Sequence, residues 1–211
     1  MRRFKLWASL FLVLAVVLGG TWALWNYDLR WRPKTITRHQ AEITKLLETS
    51  GWAAPGLRGQ KLYMVGYHTC PDCVRFKLEE VPKLLAKDVD VRVIDIARRD
   101  VNGIAKSTPA ERTTVAQVWL THDWKLMARW EAVPTDAWTA PGIPPADGDM
   151  TRTGVIEAGR SLVDQLRPLL KDNGIKFAYP TLIWWNAKGE MRGCACEKRE
   201  TYRFVRKELG V

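Results

Sequence analysis

Two cysteines, in the motif Cys70-Pro71-Asp72-Cys73, lie where a predicted strand meets a predicted helix. The preceding residues, Lys61 to Tyr67, form a short apolar run that is typical of a β-strand. From Cys73 to Lys87 apolar side chains recur at helical spacing, and Pro82 is expected to kink or split this helix. The chain must therefore fold so that a strand ends, and a helix begins, at this pair of cysteines.

The rest of the chain alternates between predicted strands and helices. Val89 to Ile96 alternates apolar and polar residues, which predicts a second strand. A third strand is predicted at Pro180 to Trp185, a fourth strand starts at Glu190 to Arg192, and a closing helix is predicted from Glu197 to Leu209. Between the second and third strands lies a mostly helical region at about 98–175, with candidate helices at 109–120, 123–131 and 154–172. This order predicts an α/β fold with a helical insertion.

The N-terminal segment is long and apolar. Residues 6–25 are 20 consecutive residues without a charge, preceded by Arg2, Arg3 and Lys5. At about 1.5 Å per residue, such a helix spans roughly 30 Å, the thickness of a bilayer core. A cleaved signal peptide is the alternative, but its apolar core is usually about 7–15 residues long. We therefore predict a single N-terminal transmembrane helix, an uncleaved signal anchor over residues 1–25.

The formal net charge of +10 is unevenly placed. Residues 1–34 hold six basic side chains against Asp28 alone, so half of the excess flanks the apolar segment. This placement suits anionic lipid headgroups, and we predict a membrane rather than a nucleic acid as the partner of these charges. Because positive charges lie at both ends of the segment, they do not decide its orientation.

Three regions follow from these patterns. Residues 1–25 are the anchor, 26–60 are expected to form a stalk with one short helix, and 61–211 form the domain. The short helix is predicted from Arg38 to Thr49, capped by Thr37 and ended by Ser50-Gly51.

The position of Cys70 at a helix start has a chemical consequence. Free backbone N–H groups and the helix dipole favour a thiolate there, and the thiolate is the nucleophilic form of cysteine. Cys73, one turn inside the helix, is placed to resolve a mixed disulfide formed on Cys70. The alternative for such a pair is a structural or metal-binding role, and the sequence around the motif has to decide between them.

Two segments carry a resemblance to a known family. Tyr67-His68-Thr69-Cys70-Pro71-Asp72-Cys73, together with Tyr179-Pro180-Thr181-Leu182, resembles the thioredoxin superfamily. The resemblance implies a thioredoxin-like fold in which Pro180 is cis and packs beside the redox pair. It covers about Lys61 to Leu209 and is strongest at these two segments.

The predicted helical insertion points to one branch of the superfamily. Ala116-Gln117-Val118-Trp119, His122-Asp123 and the stretch from Leu162 to Lys176 look like the helical insert of DsbC/DsbG-type bacterial periplasmic disulfide isomerases. Those proteins carry an N-terminal dimerisation domain, and here the anchor and the expected stalk stand in its place. A membrane-tethered reductase, or an oxidase for one client system, is therefore at least as well supported as a dimeric isomerase.

The resemblance implies roles for individual residues. Cys70, Cys73 and Pro180 are the expected catalytic residues, and Tyr179, Pro71, Asp72 and Gly193 are expected to border the substrate.

The expected partners are exported protein substrates with disulfides and a membrane or periplasmic thiol–disulfide redox partner. No cofactor and no metal are expected. The implied location is the bacterial inner membrane, single-pass, with the domain in the periplasm. A metallochaperone or envelope-assembly factor on the same fold is the alternative function.

His68, Cys194 and Cys196 are the candidates for modulating the site, and the alternative for His68 is a polar residue at the rim of the site with no part in the chemistry. A protonated His68 would lower the pKa of Cys70, whereas the charge of Asp72 would raise it and Pro71 removes one N–H donor. The resemblance places Cys194 and Cys196 near Cys70. These two cysteines are a second redox pair, part of a four-thiolate metal site, or inert, and the sequence leaves the three alternatives open.

Overall fold

The computed structural model describes the backbone from Arg2 to Val211 and the side chains from Leu12 to Val211. The chain divides into two compact units, and the division falls between Arg32 and Pro33. The first contains helix α1 (Arg2–Tyr27) and a short 3₁₀ turn, Leu29–Trp31. Within it, Leu12–Trp31 is a candidate membrane span by length and composition, with a mean hydropathy of 1.3 and exposed side chains. The predicted apolar helix is confirmed, and its residues 6–11 have no described side chains.

The second unit is built on a five-stranded sheet of order β1-β5-β4-β2-β3. The strands are β1 (Lys34–Thr35), β2 (Lys61–Gly66), β3 (Asp90–Asp95), β4 (Thr181–Trp185) and β5 (Met191–Ala195). Strands β2 and β3 are parallel, and the other pairs are antiparallel. The β2–β3 crossover contains α3 (Pro71–Glu79) and α4 (Val81–Leu85), so the predicted helix is split beside Pro82 as expected.

Helices cover both faces of this sheet. One apolar cluster joins alternate strand residues to α3, α4 and three further helices, α5 (Pro109–Thr121), α6 (Trp124–Glu131) and α8 (Arg199–Glu208). The other joins the opposite strand faces to α2 (Gln40–Glu48) and the second half of α7 (Met150–Asp172). A strand buried on both faces is apolar along nearly its whole length, as in β4, where apolar residues follow Thr181.

The insertion between β3 and β4 has well-defined helix starts. Thr108 and Glu111 form a reciprocal capping box at the start of α5, and Asp123 caps α6 through two backbone N–H groups. Asp149 caps α7, which begins four residues earlier than the predicted 154. The predicted helical insertion is confirmed.

The expected stalk is wrong from Pro33 onwards. Thr35 pairs with Arg192 of β5, and Ala53 forms a bridge to Val93 of β3. Ile43 and Leu47 of α2 are completely buried. These residues belong to the domain because their apolar side chains complete one face of the sheet, so the domain begins at Pro33 rather than at residue 61.

Candidate active site at the Cys70–Cys73 pair

The two cysteines lie where the sequence placed them, between the end of β2 and the first turn of α3. Cys70 is the N-cap of α3, and its sulfur accepts the backbone N–H of Cys73 at 3.2 Å. Both are free thiols, with Cys70 2% exposed and Cys73 fully buried. Since the sulfur of Cys70 faces the positive end of the helix, the site favours negative charge on this atom.

The two thiols have opposite acidities. The side-chain hydrogen bond from Cys73 is the main cause that lowers the pKa of Cys70 from 9.0 to about 7, outweighing the effect of burial. Backbone N–H groups of Cys73 and Asp72 lower the pKa further. Burial, followed by the neighbouring Cys70, raises the pKa of Cys73 well above its usual range. At neutral pH Cys70 is therefore the nucleophile and Cys73 holds its proton.

Alkylation of Cys70 should report this shift directly. Its rate with iodoacetamide is expected to reach half its maximum near pH 7, because only the thiolate reacts and the pKa is about 7. Below that pH the rate should fall about tenfold per unit. The measurement uses reduced protein carrying Cys194→Ala and Cys196→Ala, with peptide mass spectrometry to separate Cys70 from Cys73. A half-maximum near 9.0, the ordinary value, would contradict the assignment.

The segment before β4 closes over Cys70. The Tyr179–Pro180 peptide bond is cis, as the resemblance implied, and the carbonyl of Tyr179 lies 3.7 Å from the sulfur of Cys70. The ring of Tyr179 contacts the edge of Tyr67 at 5.0 Å between centroids and that of Phe177 at 5.2 Å. Burial raises the pKa of Tyr179 to about 12, so its hydroxyl stays protonated. Backbone and aromatic groups thus form one wall of the site.

The carboxylate of Asp72 forms an ion pair with Arg75 on α3. Arg75 donates to this carboxylate at 2.6 Å and also to the backbone carbonyl of Glu197. The charge of Asp72 raises the pKa of Cys70, as the sequence predicted, but it is the smallest of the influences on that thiol. Pro71 occupies the first turn of α3, where its missing N–H removes no helical hydrogen bond.

His68 does not act as the cation that the sequence analysis expected. Its ring stacks on Trp130 at 4.2 Å, and it is buried to 7% exposure. Burial lowers the pKa of His68 and outweighs the opposing effect of Asp95, so the ring is neutral at pH 7. The expectation of a protonated modulator is wrong because the imidazole is part of the apolar core.

A buried charge cluster lies behind Cys73, and sequence reasoning missed it. The ammonium of Lys77 donates to Asp95 at 2.9 Å and to Glu131 at 2.6 Å. Burial opposes the charge of Lys77, but the two carboxylates outweigh it and raise its pKa, whereas burial raises the pKa of Glu131. Asp95 is 1% exposed, although alternating strands commonly turn their polar residues to solvent.

Gly66 has no side chain, and this allows the buried charge cluster to lie next to Cys73. A side-chain carbon at Gly66 would lie 2.9 Å from the sulfur of Cys73 and 3.5 Å from Oδ1 of Asp95. Both atoms therefore face the same small space at the end of β2, and a larger residue would displace them. Oδ1 of Asp95 has no hydrogen-bond partner among the described residues. This oxygen is therefore an unused hydrogen-bond acceptor beside the sulfur of Cys73.

The second pair of cysteines forms a disulfide, Cys194–Cys196. The backbone N–H of Cys196 donates to the carbonyl of Pro180 at 2.8 Å, which places this disulfide beside the segment that closes over Cys70. Gly193, expected to border the substrate, is instead buried in the sheet. A side-chain carbon there would lie 3.0 Å from both Ile36 and Ile175, so the expected substrate contact of Gly193 is corrected to a packing role.

The disulfide also bears on the four-thiolate alternative. Cys194 and Cys196 are bonded to each other, so two of the four cysteines, Cys70 and Cys73, remain as free thiols. Within residues described in full, no group of three or more histidine, cysteine, aspartate or glutamate side chains is arranged to hold a metal ion.

Comparison with solved structures identifies the fold. BcfH of Salmonella enterica Typhimurium is 13% identical and matches with a TM-score of 0.54, over 99% of this chain and 91% of that chain. A periplasmic thioredoxin-like protein from Salmonella enterica serovar Typhimurium is 16% identical, with a TM-score of 0.51, over 82% of this chain and 98% of that chain. No protein-family model matches, and no curated protein does. The thioredoxin-like fold is confirmed, and a closer relation to the DsbC/DsbG type stays a prediction.

Proposed function

We propose that this chain is a membrane-anchored thiol–disulfide oxidoreductase, a reductase or isomerase, that acts on exported protein clients. One observation carries the proposal: a Cys70 thiol with a pKa of about 7 lies at a helix start, next to a buried Cys73 of raised pKa. This is the arrangement that a nucleophilic and a resolving cysteine require.

The first step uses Cys70 alone. Its thiolate attacks one sulfur of a client disulfide, so that a Cys70–client bond forms, the client S–S bond breaks, and the other client sulfur leaves as a thiolate. The carbonyl of Tyr179, 3.7 Å from the attacking sulfur, belongs to the backbone segment along which a client strand would lie. When a second client thiol then displaces Cys70, the client is isomerised with no net transfer of electrons.

The second step uses Cys73 and gives reduction. Cys73 attacks the sulfur of Cys70, so that the Cys70–Cys73 disulfide forms and the client leaves with two thiols and two additional electrons. A thiol-bearing redox partner must return those electrons before the next cycle. Because Cys73 is buried and protonated, its proton needs an acceptor, and Asp95, whose free Oδ1 shares the space above Gly66, is the residue that we assign to this role.

The proposed location combines two findings. The candidate span at Leu12–Trp31 is long enough to anchor the chain in a bilayer. A structural neighbour is described as periplasmic, which supports an exported domain for this chain as well. We therefore place the anchor in a bacterial inner membrane with the domain outside.

A trapping experiment tests both parts of the proposal. Cys73→Ala removes the resolving thiol, so the mixed disulfide between Cys70 and a client should persist. Spheroplasts that express the full-length variant would be incubated with an added disulfide-bonded protein, quenched with acid and analysed by non-reducing electrophoresis. We expect a thiol-sensitive adduct of variant and client.

The matched control is Cys70→Ala/Cys73→Ala, which should form no adduct. An equal amount of adduct in the control would contradict the assignment of Cys70 as the nucleophile. An adduct that forms in detergent extracts but never in intact spheroplasts would contradict the external location of the domain.

A further inference from the structure

The mechanism above does not use the Cys194–Cys196 disulfide. We propose that Cys194 and Cys196 are a second redox pair, which exchanges two electrons reversibly with the Cys70–Cys73 pair within the molecule. The inference rests on the proposed function, because the same Cys70 thiolate is the nucleophile in both reactions.

Adjacent carbonyl groups link the two pairs. The sulfur of Cys70 contacts the carbonyl oxygen of Tyr179 at 3.7 Å, and the backbone N–H of Cys196 donates to the carbonyl oxygen of Pro180 at 2.8 Å. All four cysteines belong to the same buried apolar cluster, on one face of the sheet. Cys194 and Cys196 follow Cys70 by 124 and 126 positions in the chain, and they are its neighbours in the fold.

A side chain of α3 forms a second link. Arg75 binds Asp72, which precedes Cys73, and it also binds the carbonyl of Glu197, which follows Cys196. The same guanidinium lies 3.4 Å from the hydroxyl of Tyr202 on α8. These contacts hold the end of β5 against the start of α3, where the exchange would take place.

A purely structural role explains this disulfide poorly. A disulfide stabilises a fold mainly by closing a loop of the unfolded chain, and the effect grows with the length of that loop. Cys194 and Cys196 are only two positions apart, and the fold already has extensive apolar cores on both faces of the sheet. The bond therefore restricts little of the unfolded chain.

The structure holds the two pairs in the states from which exchange would begin, a dithiol at Cys70–Cys73 and a disulfide at Cys194–Cys196. In the first step the Cys70 thiolate attacks Cys196, so that a Cys70–Cys196 bond forms, the Cys194–Cys196 bond breaks, and Cys194 leaves as a thiolate. We place the attack at Cys196 because it borders Pro180, and Cys194, at 7% exposure, is the one with access to solvent.

In the second step Cys73 attacks Cys70. The Cys70–Cys73 disulfide forms, the Cys70–Cys196 bond breaks, and Cys196 is released. The first pair loses two electrons and the second gains them, while the protons of Cys70 and Cys73 are replaced by protons on Cys194 and Cys196. The exchange thus needs no oxidant from outside. Run in reverse, the same two steps carry electrons from a partner-reduced Cys194 and Cys196 to an oxidised Cys70–Cys73 pair, as the proposed reductase requires.

Cys73→Ala also isolates this exchange, because the air-oxidised variant keeps the Cys70 thiol and the Cys194–Cys196 disulfide but cannot complete the second step. The purified full-length variant would be quenched with acid, alkylated with N-ethylmaleimide, digested and analysed by mass spectrometry. We expect a cross-linked peptide that joins Cys70 to Cys196, with Cys194 alkylated. Cys73→Ser provides the same test should the alanine variant not fold.

The control carries Cys194→Ala and Cys196→Ala in addition, and in it the cross-linked peptide should be lost completely. Oxidised glutathione added to the Cys73→Ala protein separates the two proposals. A glutathione adduct on Cys70, combined with an intact Cys194–Cys196 disulfide and no cross-link, would overturn the second redox pair and leave the proposed function standing. Failure of Cys70 to form either bond would overturn both.

Discussion

Cys70→Ser is expected to abolish thiol–disulfide turnover and to leave only the rate of uncatalysed exchange. A serine hydroxyl does not ionise near neutral pH, whereas the Cys70 thiol has a pKa of about 7. The partner thiol does not replace it, because Cys73 is completely buried and its pKa is raised. The whole nucleophilic function of the site therefore depends on one sulfur.

The measurement is the reduction of a fluorescent disulfide-bonded peptide by the full-length protein in detergent, with dithiothreitol as the electron donor. Cys73→Ser is the informative comparison. In a single turnover of pre-reduced protein without dithiothreitol, it should release one equivalent of client thiol and keep the other client sulfur bonded to Cys70, since Cys70 attacks normally and no second thiol displaces the client. Substantial turnover by Cys70→Ser would show that another cysteine is the nucleophile.

Lys77→Met should have the largest effect on stability, a loss of about 3–5 kcal/mol in the free energy of unfolding. The ammonium of Lys77 is buried between Asp95 and Glu131, at 2.9 and 2.6 Å. Removing it leaves the carboxylate of Asp95 buried at 1% exposure without its partner. A buried charge that loses its partner costs far more than an exposed one, because water does not replace the lost interaction.

Lys83→Met is the matched control for this substitution. Lys83 also pairs with a carboxylate, Glu80, but its side chain is 53% exposed, and Glu80 keeps a second partner in Arg206. Its loss should cost less than about 1 kcal/mol. Urea unfolding of the reduced protein, followed by tryptophan fluorescence, measures both variants. Adding Asp95→Asn to Lys77→Met should restore part of the loss, and equal losses for the two lysine variants would contradict the role of burial.

Local patterns were sufficient to predict most of the elements. The strand, cysteine motif and split helix from Lys61 to Lys87 follow from apolar spacing and from Pro82, and each depends on residues that are close in the sequence. The position of Pro180 before β4 was predicted from a resemblance that rests on only a few residues. Both predictions concern short segments whose structure is determined largely by their own side chains.

Features that depend on distant contacts were not predictable in this way. Lys77 reads as an ordinary polar residue of a helix, and only its partners Asp95 and Glu131, 18 and 54 positions away, show that it is buried. The same limit explains His68, whose neutrality results from its stacking on Trp130. Residues 33–60 appeared to be a polar stalk because the sheet that they pack against is formed by later parts of the chain.

The segment 33–60 also affects whether the domain can associate with other chains through its sheet. Sheet edges expose unpaired backbone groups, which recruit strands from neighbouring molecules and lead to aggregation. In the part of the chain that the structure describes, β1 pairs with the β5 edge, and the bridge from Ala53 to Val93 covers part of the β3 edge. Under the proposed function, the domain would thus present its cysteines to clients while leaving little free sheet edge for a client strand to pair with.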